Sequence, residues 1–245
     1  MKLNFKNADK LAEAIEILAP DLGIEVSCEC QADCIVTVSE TDKSTVSVKL
    51  DGKYADITYG GGTARFCRGL AKLVKWLKDG KNACESTENP IFTLNGAMID
   101  MSRNAVMNVK TVKFTMRKMA LMGMNCYMLY TEDTYEIENR PFFGYMRGAY
   151  TKDEIRELDS YALKLGIELI PCVQMLGHLA THLRWAAAGK YKDTANALLA
   201  GADETYALID DMLKTISETF TTRRIHIGMD ETHDLGTGAY LNKNG

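Results

Sequence analysis

Along the first 89 residues, apolar and polar positions repeat in two periods. In "ADKLAEAIEILAPDLG", Leu11, Ile15 and Leu18 recur at helical spacing, and Pro20 and Gly23 mark the end. "CIVTVSE", "STVSVKL" and "YADITYG" then alternate with the period of two that half-buried strands show. After the glycines at 60–62, "TARFCRGLAKLVKWLKDG" lines up Phe66, Leu70, Leu73, Val74 and Leu77 as one stripe, and Gly80 stands where a helix cap is wanted. "KNACESTENP", residues 81–90, is polar, ends in Pro90 and predicts a linker. Residues 1–89 are thus expected to form a small α/β domain.

From residue 90 to 245 the rhythm changes to strand then helix. "GAMIDM" (96–101), "NCYMLY" (125–130), "GIELIPCVQM" (166–175) and "RIHIGM" (224–229) predict four strands, the last of them buried. Helices are expected over "VKTVKFTMRKMALMG", over "KDEIRELDSYALKLG" and through much of the stretch up to Phe220. Thr151 with Glu154 forms a capping box, and Gly166 closes that helix. Apolar strands alternating with helices predict parallel strands covered by helices, either a doubly wound open sheet or a (β/α)8 TIM-type barrel. "DMSRNAV" carries no glycine, which argues against a nucleotide-binding open sheet. Polar residues gather instead at the strand C-terminal ends: Asp100, Ser102 and Arg103; Glu132 and Asp133; Gln174 and His178; Asp230 and Glu231. Barrel enzymes build their sites there.

Composition narrows the chemistry. With 29 basic and 33 acidic residues the net charge is -4, which gives no footprint for nucleic acid or an anionic membrane. No segment has the length of an apolar membrane span, the start lacks a signal-peptide core, and a soluble cytoplasmic chain is expected. Seven cysteines suit free thiols in a reducing compartment. Cys28, Cys30 and Cys34 lack the paired spacing of a zinc site, so neither a metal nor a cofactor is expected.

The sharpest feature is "RRIHIGMDETHDLG", where an apolar run stops at adjacent carboxylates. At a strand mouth, Asp230 and Glu231 can approach one bound group from two angles, the first ionised and the second donating a proton. A neighbouring anion and partial burial would both raise the donor's pKa.

"HIGMDE", with "NGAMIDMSRN", "MNCYMLYTEDTYEI" and "GIELIPCVQMLGHLATHL", resembles the family 20 glycoside hydrolases, the β-N-acetylhexosaminidases, over residues 92–240. The leading domain is similar to the small α/β domain that precedes the barrel in that family. The resemblance implies that Glu231 is the general acid/base and that Asp230 orients the substrate's own 2-acetamido group, which attacks the anomeric carbon and forms an oxazoline that water opens with retention. It also implies substrate-binding roles for Asp133 and His178, and an N-acetylhexosamine-containing glycan as partner. Arg103 could serve the ring hydroxyls or pair with Asp100. His233 lies close enough to the pair to join the site, and His226 could support its loop from within the strand.

Two departures stand out. Asn95 occupies the position where many members place a sugar-holding arginine, and "PCVQ" stands where many carry P-E-x-D. Only four strand-helix units begin before residue 245, so the expected fold is the first half of a barrel, truncated after its fourth strand, with an open edge that favours self-association. Two alternatives stay open. One is a metal-dependent barrel hydrolase using His178 and His182 at i, i+4 with His226, Asp230, His233 and Asp234; the other is a carbohydrate-binding fragment without turnover.

Overall fold

A computed structural model describes residues 1–245 and divides into two compact units. The first comprises 1–96, 111–126 and 161–168, and the second 97–110, 127–160 and 169–245.

The first unit is built on a six-stranded sheet in the order β2-β1-β3-β5-β4-β6. Its strands are β1 (Lys2–Lys6), β2 (Glu25–Val26), β3 (Cys34–Glu40), β4 (Val46–Asp51), β5 (Tyr54–Tyr59) and β6 (Ala83–Glu88). β1 pairs in parallel with β2 and β3, β3 with β5, while β4 runs antiparallel to β5 and β6. Two helices, α1 (Ala12–Leu22) and α2 (Thr63–Lys78), supply apolar stripes. Phe66, Leu70 and Leu73 on α2 are wholly buried. Gly69 lets that helix sit close to the sheet, since a Cβ there would lie 2.9 Å from both Ile57 and Val46.

The expected linker at 81–90 is instead the edge strand β6. Its inward residues, Cys84, Ser86 and Glu88, are polar, so no apolar alternation betrays it. Glu88 is held by Arg68 at 3.0 Å and by Lys72, both on α2, which together keep its carboxyl down at about 2. Polar pairing replaces apolar packing at this edge.

A second sheet has the order β7-β8-β9, from β7 (Gly96–Asp100), β8 (Cys126–Thr131) and β9 (Glu168–Val173). β8 and β9 are buried nearly throughout, as strands covered on both faces should be. Helices α3 (Val109–Leu121) and α4 (Lys152–Lys164) follow β7 and β8, and the Thr151–Glu154 capping box forms as expected. The stretch after β9 is only partly helical: α5 (Ala180–Leu183) is one turn, and irregular chain leads to α6 (Asp203–Thr219). A final short helix, α7, covers Ala239–Asn244.

The fourth expected strand differs most from its prediction. His226 bridges Cys172 in parallel, with His226 N–H donating to Pro171 at 3.0 Å and Val173 N–H to His226 at 2.9 Å. Met175 N–H also donates to Ile227 at 3.2 Å, and the pairing ends there. Ile225, Ile227 and Met229 are 37%, 42% and 50% exposed, so the segment is an open edge and not a buried strand. No helix is long and apolar enough to cross a membrane.

Candidate active site

The site is assembled within the second unit from the chain that leaves β7, β8, β9 and the 225–229 segment. β9 leads into Gln174, which is fully buried, and its Nε2 donates to Asp230 Oδ1 at 3.4 Å. His178, four residues on, brings Nε2 to 3.6 Å from Asp230 and 3.7 Å from Glu231. That nitrogen is buried and makes no hydrogen bond within the chain. Both His178 (φ 56) and Glu231 (φ 50) hold left-handed backbone, a conformation that costs free energy in residues with a side chain and gathers at functional sites.

Behind the pair, His226 fixes the turn. Gly228 N–H donates to His226 Nδ1 at 3.2 Å, so that nitrogen carries the lone pair and the neutral ring is protonated at Nε2. Cys172 Sγ lies 3.3 Å from the same nitrogen, and burial pushes its thiol up to about 11. Gly228 (φ 54) passes so near β9 that a Cβ would sit 2.5 Å from the Val173 carbonyl and 2.6 Å from the Gln174 amide.

Asp230 is held below the ordinary carboxylate range, first by its own backbone N–H, then, against slight burial, by Gln174 and the neighbouring His178 and His226. The partial burial expected for Glu231 is absent: its side chain is 66% exposed, and that of Asp230 55%. The two carboxylates do converge on one imidazole, and the ligand atoms of His178, Asp230 and Glu231 all lie within 4.8 Å of one another. A trio so spaced has the donors to bind a small cation or to share protons around a bound polar group.

The β7 and β8 ends form a second polar group. Asp100 accepts from the backbone N–H of Ser102 (2.8 Å) and Arg103 (3.0 Å) and from Arg103 Nε (2.6 Å). Burial alone would raise its carboxyl, but those bonds outweigh burial and lower it. Arg103 therefore does pair with Asp100, and its half-exposed guanidinium also lies 4.9 Å over the Tyr130 ring. Tyr130 presents its edge to His178, with ring centroids 6.5 Å apart, and its hydroxyl donates to Glu132 at 3.3 Å. Burial drives the Glu132 carboxyl above the ordinary range.

Other expected members sit elsewhere. Asp133 is 1% exposed and accepts from Arg147 Nε at 3.1 Å. Asn95 lies at the N-terminal end of β7, where its N–H donates to Asn125 Oδ1 at 2.8 Å, and it lines a 260 Å³ cavity with Arg65, Arg68 and Glu88. His233 is exposed and outside the His178 cluster. His178 precedes α5 instead of sharing a helical face with His182, and His182 is 2% exposed and bonded to the Tyr191 hydroxyl at 2.9 Å. The paired-imidazole arrangement behind the metal-hydrolase alternative is therefore not formed.

The model of glycosyl hydrolase family 20, catalytic domain, matches residues 92–242. The chain belongs to glycosyl hydrolase family 20. Among curated relatives, "Beta-hexosaminidase 1" of Coccidioides posadasii is 28% identical over 168 residues, covering 58% of this chain and 28% of the relative. "Hexosaminidase D" of Bos taurus is 30% identical over 121 residues, covering 48% and 35%. A solved Flavobacterium johnsoniae chitobiase superposes with TM-score 0.76 at 19% identity, over 99% of this chain and 44% of that one. A Streptomyces plicatus β-hexosaminidase (D313N) in complex with GlcNAc gives 0.74 at 20% identity, over 95% and 55%. The fold of this family 20 chain is thus that of part of an α/β TIM-barrel glycosidase. It spans about a third of these curated relatives and about half of these solved structures.

Gln174 was legible as a strand-end polar residue, yet nothing in the sequence singled it out as the partner of Asp230. Glu132, Tyr130 and Arg147 join the site only through contacts that bring distant strands together.

Proposed function

We propose that the chain contributes the acid/base half of a β-N-acetylhexosaminidase, which removes terminal β-linked GlcNAc or GalNAc with retention of configuration. Residues 90–245 are read as the N-terminal half of its barrel and residues 1–89 as the small leading domain. The carrying observation is the convergence of Asp230 and Glu231 on His178, inside the stretch matched by the family.

In this reading Glu231 donates its proton to the glycosidic oxygen as the bond to the anomeric carbon breaks. The substrate's acetamido oxygen forms the new bond to that carbon, giving an oxazoline and a free alcohol. Asp230, ionised, accepts the acetamido N–H and balances the positive charge that grows on that group. Water then adds at the anomeric carbon, returning its proton to Glu231 and opening the ring. Gln174 and His178 keep Asp230 in place and charged. An odd count of seven cysteines fits a reducing, cytoplasmic setting.

The deciding assay is hydrolysis of a chromogenic N-acetyl-β-glucosaminide by the full chain, with and without chelator. Turnover should survive the chelator and fall at least a hundredfold in Glu231→Gln. Successive fluorination of the N-acyl group should slow the reaction, because it drains electron density from the attacking oxygen. Rates indifferent to fluorination would point to an enzyme nucleophile, and loss of turnover on chelation to a cation at His178, Asp230 and Glu231.

A further inference from the structure

Of the seven cysteines, only Cys28 and Cys30 are exposed. Cys34, four residues on, is wholly buried, and burial pushes its thiol up to about 11; Cys67 is likewise buried and stands at about 12. The exposed pair flanks Glu29 at a single 3-10 turn, Glu29–Gln31, which Cys28 opens with extended backbone (φ -69, ψ 158). Their Sγ atoms are 3.0 Å apart. Closing that gap to a disulfide of about 2.05 Å asks for about 1 Å of movement.

The turn is tied to β1 on both sides. Gln31 N–H donates to the Cys28 carbonyl at 3.1 Å and closes it. Before it, Ser27 N–H donates to Leu3 at 2.9 Å and the Ser27 carbonyl accepts from Asn4 Nδ2 at 2.8 Å; after it, Asp33 N–H donates to Lys2 at 2.8 Å. Lys6 pairs with Glu29 at 3.2 Å. The two thiols are not equivalent. Cys30, donating to Cys28, holds the Cys28 thiol below its ordinary range; desolvation opposes this, and the backbone N–H groups of Gln31, Cys28 and Cys30 reinforce it. The same bond pushes Cys30 up. A thiolate cradled by N–H groups beside a protonated second thiol is equipped to attack a disulfide and then be resolved.

We infer that Cys28 and Cys30 form a thiol–disulfide exchange site for low-molecular-weight disulfides, with Cys28 as the attacking sulfur and Cys30 as the resolving one. The Cys28 thiolate bonds to one sulfur of the reagent as the reagent's S–S bond breaks, and the departing thiolate takes up a proton. Cys30 then gives its proton to solvent and attacks the Cys28 sulfur, which closes the Cys28–Cys30 bond and expels the second thiol. Two electrons pass from the protein to the reagent. In a reducing compartment the pair stays open until the ratio of disulfide to thiol rises, and excess thiol reopens it. The exchange needs no glycoside turnover.

The probe is glutathione disulfide added to the fully reduced chain. Intact mass should fall by two hydrogens, tandem mass spectrometry should place the new bond between Cys28 and Cys30, and the other five thiols should still alkylate. Cys30→Ser keeps an O–H donor toward Cys28, and it should accumulate one glutathione on Cys28 that nothing resolves. Cys28→Ser should take up glutathione on Cys30 at least about tenfold more slowly. In urea, where the turn is lost, the two variants should react at similar rates. Stable glutathione adducts on both thiols of the parent, equal rates in the two folded variants, a bond from either thiol to Cys34 or to a second chain, or a rate difference that survives in urea overturns the assignment.

Discussion

Gln174 and Asp230, 56 positions apart, are tied by a hydrogen bond from the buried amide Nε2 to Oδ1 at 3.4 Å. The bond favours the charged carboxylate and helps hold Asp230 below its ordinary value of 3.8. Gln174→Leu removes a donor to the charged form, so the Asp230 pKa rises. Asp230 in the parent stays ionised at any pH above 3.8, whereas in the variant the acid limb of kcat/KM should move to higher pH. We expect kcat/KM at neutral pH to fall roughly tenfold, in line with ~1.5 kcal/mol for a hydrogen bond to a charged group. A pH–rate profile with an unmoved acid limb would refute the coupling.

Gly228→Ala tests the same arrangement from the backbone. The new Cβ would meet the Val173 carbonyl at 2.5 Å and the Gln174 amide at 2.6 Å, at a φ of 54 that suits glycine. Gln174 must move, and Asp230 loses its partner. Expected outcomes are a loss of ~1–3 kcal/mol in stability and a fall in kcat/KM at least as large as in Gln174→Leu. Thermal melts and steady-state kinetics on the same preparation check both.

Glu132 carries a pH-dependent stability term of opposite sign to Asp230. Its folded carboxyl titrates above the unfolded value of about 4.5, because burial disfavours the anion despite Tyr130 and Arg103. Between those two values the folded state binds more protons, so stability declines as pH rises through the window. Glu132→Gln is neutral throughout and keeps an acceptor for Tyr130. Its Tm should exceed the parent's by ~2 °C at pH 7 and converge with it at pH 4. A Tm difference that is independent of pH would show that Glu132 is not the group responsible.

Phe66 offers a stability test away from the site. It is wholly buried, with its ring 5.7 Å from Tyr59. Phe66→Ala should cost ~3–5 kcal/mol in chemical denaturation.

Where the hydrophobic period was strong, the sequence reading and the structure agree: the α2 stripe through Phe66, Leu70 and Leu73, the buried β8 and β9, and the Thr151–Glu154 box. Where polar pairing takes the place of apolar burial, the period is silent, and Glu88 with Arg68 and Lys72 made a strand look like a linker. The Ile225–Met229 run shows the converse error. An apolar alternation predicts a buried strand only if both sides are covered, and here one side is open. Side-chain direction was the least legible feature. Asp133 and Glu132 are neighbours just after β8, yet Asp133 meets Arg147 at 3.1 Å while Glu132 accepts from the Tyr130 hydroxyl at 3.3 Å.

The open 225–229 edge governs how firmly the carboxylate pair is moored. Three backbone bonds, between His226 or Ile227 and Pro171, Val173 or Met175, attach it to β9 and the chain just beyond it. Amide exchange should be fast at 225 and 227 against slow exchange along β8, and should slow at high protein concentration if copies pair along that edge. The acid and its partner thus sit just past a segment that three backbone bonds tie to the end of β9.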